Sequence, residues 1–177
     1  MNELSLFTGY AGFSLGLKLA GLKTKTIGYC DNEKYIQQLL QKRIEDELLD
    51  DAPIFSDIRT DWTPYRGLVD IITAGFPCQP HSHAGKRKGA EDSRNLWPDT
   101  LRCISEVGPK YAILENVPGI ISNGYASIVT GQLSEIGYSS QWHIVSAADA
   151  GAPHLRKRWW CFAWYEGNPP RSNANGI

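Results

Sequence analysis

The chain has 177 residues, 42% of them hydrophobic and 21% charged, with a formal net charge of −1. That length suits one domain with a proper core. No stretch approaches the roughly 18 apolar residues of a membrane span, and the near-neutral balance lends no global support to nucleic-acid binding. No charged, apolar and small leader opens the chain, because Met1-Asn2-Glu3 runs straight into Leu4-Ser5-Leu6-Phe7; a cytoplasmic protein with no membrane association is expected.

In chain order, residues 4–7 read as a strand. Residues 13–20 read as a helix with Leu15, Leu19 and Leu22 at helical spacing, closed by Gly21. A second strand is expected at 25–30 and a long amphipathic helix at 32–49, with Tyr35, Ile36, Leu39, Leu40 and Ile44 as its apolar positions. A short strand at 54–55 follows the breaker Asp50-Asp51-Ala52-Pro53. Residues 69–74 and 112–114 are near-continuous apolar runs, as parallel strands covered on both faces require. Helices at 96–107 and 125–136 separate the later strands, and alternation over 139–146 and 158–164 predicts two final, antiparallel strands. The order predicts an α/β domain: a doubly wound, mostly parallel sheet with helices on both faces, binding its ligands at the carboxyl ends of the strands. Residues 79–94 hold no sustained period and read as a long polar loop. Residues 166–177 read as a linker, leaving 1–165 as the domain proper.

Chemistry-bearing residues fall at the expected strand ends. Phe7-Thr8-Gly9-Tyr10-Ala11-Gly12 joins the first strand to the first helix, where glycines let a ligand approach the backbone and a helix N-terminus. Asp31 follows the second strand and suits the two hydroxyls of a ribose, or the N-cap of the next helix. Asp57-Ile58 follows the third strand and suits an adenine edge or a turn cap. Gly75-Phe76-Pro77-Cys78-Gln79-Pro80 ends the 69–74 strand. Its cysteine, flanked by Pro and Gln in a turn, reads as a nucleophile, whereas Cys30, Cys103 and Cys161 sit in apolar or amphipathic runs and read as reduced core residues. Cys78, His81 and His83 have a spacing that zinc tolerates, but no fourth ligand is evident and no metal is expected. Glu115-Asn116-Val117 ends another strand and offers a carboxylate for acid–base work or for a structural arginine pair. On a strand, Arg156 and Arg158 would share one face and could orient that carboxylate or contact phosphate. Lys86-Arg87-Lys88 and Arg94 form a local basic run in a neutral whole, which fits either a solvated face or a phosphate contact.

Together these residues resemble the ordered motifs of the DNA cytosine-5 methyltransferases. Phe7 to Phe13 resembles the family's Phe-x-Gly-x-Gly-Gly turn, with Ala11 in place of a glycine. Pro77-Cys78-Gln79-Pro80 with Ser82 resembles the nucleophile motif, and residues 89–96 the loop after it. Glu115-Asn116-Val117 matches the acid motif. His154-Leu155-Arg156-Lys157-Arg158 resembles Gln-x-Arg-x-Arg, with histidine in place of glutamine. The resemblance implies a Rossmann-like methyltransferase fold, S-adenosylmethionine as cofactor, and double-stranded DNA as partner. It implies Cys78, Glu115, Arg156 and Arg158 as catalytic residues. Phe7, Gly9, Ala11, Gly12, Asp31, Asn32, Asp57, Ile58, Pro77 and Leu96 would hold the cofactor. Gln79, Ser82, Lys86, Arg87, Lys88, Arg94 and Asn116 would meet substrate or DNA. The family continues into a target-recognition domain and a last motif beside the first helix, so the chain is expected to be a catalytic portion or half of a split enzyme. An apolar patch near the first helix would then favour self-association or a C-terminal partner chain. Two alternatives keep the motifs and change the role: a non-catalytic cofactor- or DNA-binding module, and a methyltransferase for cytosine in tRNA.

Overall fold

The computed structural model describes residues 1–77 and 95–167. Its strands are β1 (Asn2–Leu6), β2 (Lys25–Cys30), β3 (Ile54–Phe55), β4 (Ile71–Ala74), β5 (Tyr111–Asn116), β6 (Tyr138–Ser146) and β7 (Lys157–Tyr165). They form one sheet in the order β3-β2-β1-β4-β5-β7-β6. β1 to β5 pair in parallel, and β7 enters antiparallel between β5 and β6. Strand order reverses between β1 and β4, so the cleft for a ligand lies beyond their carboxyl ends.

The expected elements form with modest boundary shifts. The helices are α1 (Gly12–Leu19), α2 (Lys34–Glu45), α3 (Trp97–Val107) and α5 (Tyr125–Glu135). A short α4 (Gly119–Ser122), which too few residues announce for periodicity to detect, precedes α5. α2 is shorter than the amphipathic pattern suggests. Ile36 and Leu40 carry its buried face while Tyr35 is exposed. Helix α3 ends as its sequence directs: Gly108 takes φ 64 and its N–H donates to the Ile104 carbonyl at 2.9 Å. Among the described residues no helix is long and apolar enough to cross a membrane.

The main core joins Leu4, Leu6, Ile72, Ala74, Ala112 and Leu114 of the sheet to Trp97, Cys103, Ile104, Val129 and Leu133 of the helices. The opposite face of β1 is polar and equally buried, through Glu3 and Ser5. Glu3 is fully buried and accepts hydrogen bonds from Thr26 Oγ1 and Thr73 Oγ1, each at 2.8 Å. Both carboxylate oxygens are thereby partnered, which a buried polar group needs. Cys30, Cys103 and Cys161 are buried free thiols. Burial pushes Cys30 up to about 12, with the charges of Asp31 and Asp57 adding to it, and Cys161 up to about 11. They are inert, as the sequence suggests.

Helix α1 carries the apolar patch expected near it. Leu15, Leu19 and Leu22 are not core: they are 58%, 79% and 42% exposed, while Ser14 and Leu17 face the sheet. The helical spacing correctly groups Leu15 and Leu19 on one face, but nothing among the described residues covers that face. On the α1 side of the sheet, Phe13 meets Trp160 edge-on at 5.5 Å, and Phe162 stacks on Tyr111 at 5.6 Å and on Trp164 at 5.8 Å. Trp160 and Phe162 stay substantially exposed, so the apolar surface extends from α1 onto β7.

Candidate active site

The turn after β1 takes positive φ at alternate residues: Phe7 at 52°, Gly9 at 53° and Ala11 at 59°. For Phe and Ala this is the left-handed region that side chains disfavour, and such strain collects at ligand sites. The turn is held by backbone and hydroxyl bonds. Thr8 Oγ1 donates to the Ser5 carbonyl at 2.9 Å and accepts from Cys30 N–H at 3.2 Å. Ala11 N–H donates to the Thr8 carbonyl at 2.9 Å. Ala11 thus occupies its glycine position with positive φ, at a cost of about 1–2 kcal/mol. Its buried methyl packs with Tyr29, Ile36 and Leu40. Ala11→Gly relieves the strain but gives up about 0.8 kcal/mol of burial and about 0.4–1 kcal/mol through the freer unfolded chain. The expected stability change is therefore within about 1 kcal/mol of zero, read from urea denaturation midpoints.

Asp31 anchors the same turn. Its Oδ2 accepts from Gly9 N–H at 2.9 Å, and its Oδ1 accepts from Glu33 N–H at 3.0 Å, across the start of α2. The hydroxyl-acceptor reading fits this carboxylate, because each oxygen retains a free lone pair, whereas the N-cap read as the alternative falls on Glu33, with no side-chain cap bond. A cavity of about 120 Å³ opens beside it, lined by Phe7, Cys30, Asp31, Asn32, Ser56, Asp57, Ile58, Arg59 and Leu96. Six of these residues are among those expected to hold the cofactor. Gly9, Ala11 and Gly12 build the adjoining turn and the start of α1, and Pro77 follows β4. Beside the buried Cys30, Ser56 and Arg59 are additional. Their one sequence signal is adjacency to Asp57-Ile58.

The second half of the site lies at the ends of β4, β5 and β7. Ala74 pairs with Leu114, which sets Gly75 beside Glu115. A Cβ on Gly75 would stand 3.3 Å from Glu115 Oε2, so glycine is what lets the carboxylate rest against this backbone. Glu115 Oε1 meets Arg158 Nε at 2.7 Å, both side chains being mostly buried. Burial raises the Glu115 pKa above the usual carboxylate range. The charges of Arg158 and then Arg156 pull it partly back. Arg158 sits at the second position of β7, whereas Arg156 precedes the strand and is exposed. The shared strand face expected for the pair is thus replaced by a direct ion pair from Arg158 and a longer-range charge from Arg156.

Asn116 is 4% exposed. Its Nδ2 donates to the Phe76 carbonyl at 2.9 Å, and its Oδ1 accepts from Val117 N–H at 2.8 Å. That places it between two loops rather than on an open substrate face. Cys78, Gln79, Ser82, Lys86, Arg87, Lys88 and Arg94, with His81 and His83, lie outside the described residues. The described backbone brings the strand end leading to Cys78 against the strand end bearing Glu115, and pairs β4 with β1, whose following residue Phe7 lines the Asp31 cavity.

Comparison with known proteins agrees with this geometry. The sequence profile of the family described as C-5 cytosine-specific DNA methylase matches residues 1–175. The chain is 34% identical over 164 residues to the Type II methyltransferase M.NgoMIV of Neisseria gonorrhoeae, covering 89% of this chain and 49% of that protein. It is 35% identical over 165 residues to the Type II methyltransferase M.CviJI of Paramecium bursaria Chlorella virus IL3A, covering 92% and 42%. It therefore spans about half the length of the curated relatives it matches. Among solved structures, the S. pombe Dnmt2 methyltransferase has the same fold at a TM-score of 0.75 and 23% identity, covering 95% of this chain and 52% of that one. Spodoptera frugiperda DNMT2, as its E260A/E261A/K263A mutant, aligns with a TM-score of 0.77 at 20% identity, covering 94% and 50%. With a profile match over nearly its whole length, the chain belongs to the C-5 cytosine-specific DNA methylases.

Proposed function

We propose that this chain is the catalytic portion of an enzyme that transfers a methyl group from S-adenosylmethionine to C5 of a flipped-out cytosine in DNA. The observation that carries it is Glu115, a mostly buried carboxylate with raised pKa, set against the strand end that leads to Cys78. Extruding the base from the duplex costs a few kcal/mol. The Cys78 thiolate adds to C6, forming the S–C6 bond while electron density moves toward N3. Glu115 supplies the proton there, and Arg158 keeps its carboxyl in place. C5, now nucleophilic, takes the methyl group. Loss of the C5 proton to water then expels the thiolate, and N3 returns its proton to Glu115, which restores the ring and the acid. S-adenosylmethionine, when bound, supplies the electrophilic methyl. Asp31 would hold its ribose hydroxyls, Asp57 and Ile58 its adenine edge, with Phe7, Asn32 and Leu96 as walls. Lys86, Arg87, Lys88 and Arg94 would meet DNA phosphates, and Gln79 and Ser82 the base.

The names of the relatives support a role in restriction-modification, and a cytoplasmic site of action belongs to the same reading. The exposed face of Leu15, Leu19, Trp160 and Phe162 supports a further segment or partner chain seated there, through which the domain gains its full DNA affinity. Incubation with a duplex carrying 5-fluorocytosine and the cofactor tests the reaction, because fluorine at C5 blocks the final elimination. A stable protein–DNA adduct on a denaturing gel is expected. Its absence with this chain, and again after adding a C-terminal half from a relative, would leave only a binding module. An adduct on tRNA alone would move the substrate to RNA.

The cofactor assignment has its own consequence. Asp31→Ala removes the acceptor of two ribose hydroxyls, worth about 3 kcal/mol together for hydrogen bonds to a charged group, or roughly 150-fold in Kd. Titration calorimetry of S-adenosylmethionine on the parent and the variant measures that ratio. A change below about threefold would remove Asp31 from the cofactor site.

A further inference from the structure

We propose that Arg102 is a positioning residue: with Glu106 it clamps residues 57–62, the loop that would read the base of the cofactor. The proposal rests on the reading above, in which Asp57 and Ile58 hold the adenine edge. Asp57, Ile58 and Arg59 line the cavity beside Asp31. One purine is told from another by a hydrogen bond or two, so the Asp57 carboxylate must stand at a set place. Its own turn does not fix that place. Asp57 Oδ1 accepts from Arg59 N–H at 2.9 Å and the Asp57 carbonyl accepts from Thr60 N–H at 3.2 Å, and both bonds stay inside the loop.

Helix α3 supplies the anchor. Arg102 Nη2 donates to the Ile58 carbonyl at 3.0 Å and to the Thr60 carbonyl at 3.2 Å. Arg102 Nη1 meets Glu106 Oε1 at 2.6 Å, and Glu106 Oε2 accepts from Trp62 N–H at 3.2 Å. The Trp62 indole N–H closes the ring by donating to the same Ile58 carbonyl at 2.8 Å. Loop and helix are thus joined at residues 58, 60 and 62. Among the described residues, no other hydrogen bond ties this loop to a residue outside 57–65; Arg59 adds an ion pair to Asp99 of α3 at 3.8 Å. The side chains of Arg102 and Glu106 are 35% and 24% exposed, and an ion pair so open to water adds little stability by itself. What the fork fixes is geometry, because one rigid planar group meets two carbonyls and a carboxylate. Ile58 and Trp62 are buried, so the clamp grips the loop by its buried residues while Asp57 stays exposed to a ligand.

The test measures binding of S-adenosylhomocysteine and S-inosylhomocysteine by titration calorimetry. The proteins are the parent chain, Arg102→Lys and Glu106→Gln, with folding checked by circular dichroism. The two ligands share ribose and amino-acid tail. They differ where adenine offers an amino donor and hypoxanthine a carbonyl, which a carboxylate rejects. Lysine keeps the charge beside Glu106 but has no planar fork, and glutamine at 106 keeps an acceptor for Trp62 N–H but not the charge. The parent is expected to prefer the adenine ligand on the order of tenfold or more. In both variants that preference is expected to fall at least about threefold, through weaker binding of the adenine ligand. A general loss of structure would weaken both ligands alike, so a preference within about twofold of the parent's overturns the clamp. Equal affinities in the parent would remove Asp57 from the adenine edge, which is a failure of the cofactor reading and takes the proposal with it. If the parent binds neither ligand, amide hydrogen exchange followed by mass spectrometry judges the clamp. Exchange over residues 57–62 is then expected to rise at least about tenfold in both variants with α3 unchanged, and a rate within about twofold of the parent overturns the proposal.

Discussion

Replacing Glu115 with glutamine is expected to lower the rate of covalent capture on 5-fluorocytosine DNA by about 10²–10⁴, the usual worth of a placed general acid. Glutamine is the demanding substitution because it preserves shape and can still offer an N–H to N3. It cannot give up a proton. In this structure the acid is prepared in advance. Burial raises the Glu115 pKa, with Arg158 at 2.7 Å and Arg156 beyond it moderating the rise. The sign follows directly. Because the folded pKa lies above that of the unfolded chain, the protonated form is favoured by folding. Its contribution to proton supply and to stability is complete at low pH and fades as pH rises through the folded pKa. Capture rate in the parent should therefore decline on the alkaline side of that pKa until thiolate formation at Cys78 opposes the trend, and Glu115→Gln should lack the decline. Quench-flow capture across pH, parent against variant, measures both. An identical profile in the two proteins would take Glu115 out of the chemistry.

Replacing Cys78 with serine is expected to abolish the adduct altogether. A thiol with an ordinary pKa of about 8.5 supplies some thiolate at neutral pH and more where cations or a helix N-terminus lower that value. A serine hydroxyl stays protonated without a dedicated base, and no such base is assigned here. The other three thiols cannot stand in. They are buried, and Cys30 and Cys161 have pKa values pushed up to about 12 and 11. Binding of S-adenosylmethionine should survive the change, because no residue of the Asp31 cavity is altered. Calorimetry with the cofactor and a denaturing gel with DNA together separate loss of chemistry from loss of fold. Residual adduct in Cys78→Ser would reassign the nucleophile.

The parallel half of the sheet was readable because strands covered on both faces are written as unbroken apolar runs, and Ile71–Ala74 is such a run. Strand β1 was readable only in part. It was read from residue 4, yet it begins at Asn2 and buries Glu3 and Ser5, since Thr26 and Thr73 arrive from neighbouring strands to satisfy Glu3. Periodicity reports which residues share a face, not what lies opposite. The same reason explains α1, where Leu15 and Leu19 share a helix face that remains open to solvent. The strain at Ala11 was visible as a question, because alanine stood where a glycine was expected, and its φ of 59° answers it.

The sequence by itself determined the chemistry available: one cysteine in a Pro-Cys-Gln turn, one acid at a strand end, an acid after β2, and the alternation that makes a doubly wound sheet. Those are properties of residue types and of short-range spacing, where side-chain chemistry and local periodicity act. The tertiary structure alone decided how the pieces meet. β7 inserts antiparallel beside β5, and Glu115 pairs in register with Trp160. Arg158, two residues along the same face, thereby comes within 2.7 Å of the acid. In the same way the end of the β4–β5 ladder leaves Gly75 against Glu115 and Phe76 under the Asn116 amide. Strand register is set by packing across the whole sheet, so contacts between residues far apart in the chain appear only when the sheet is assembled.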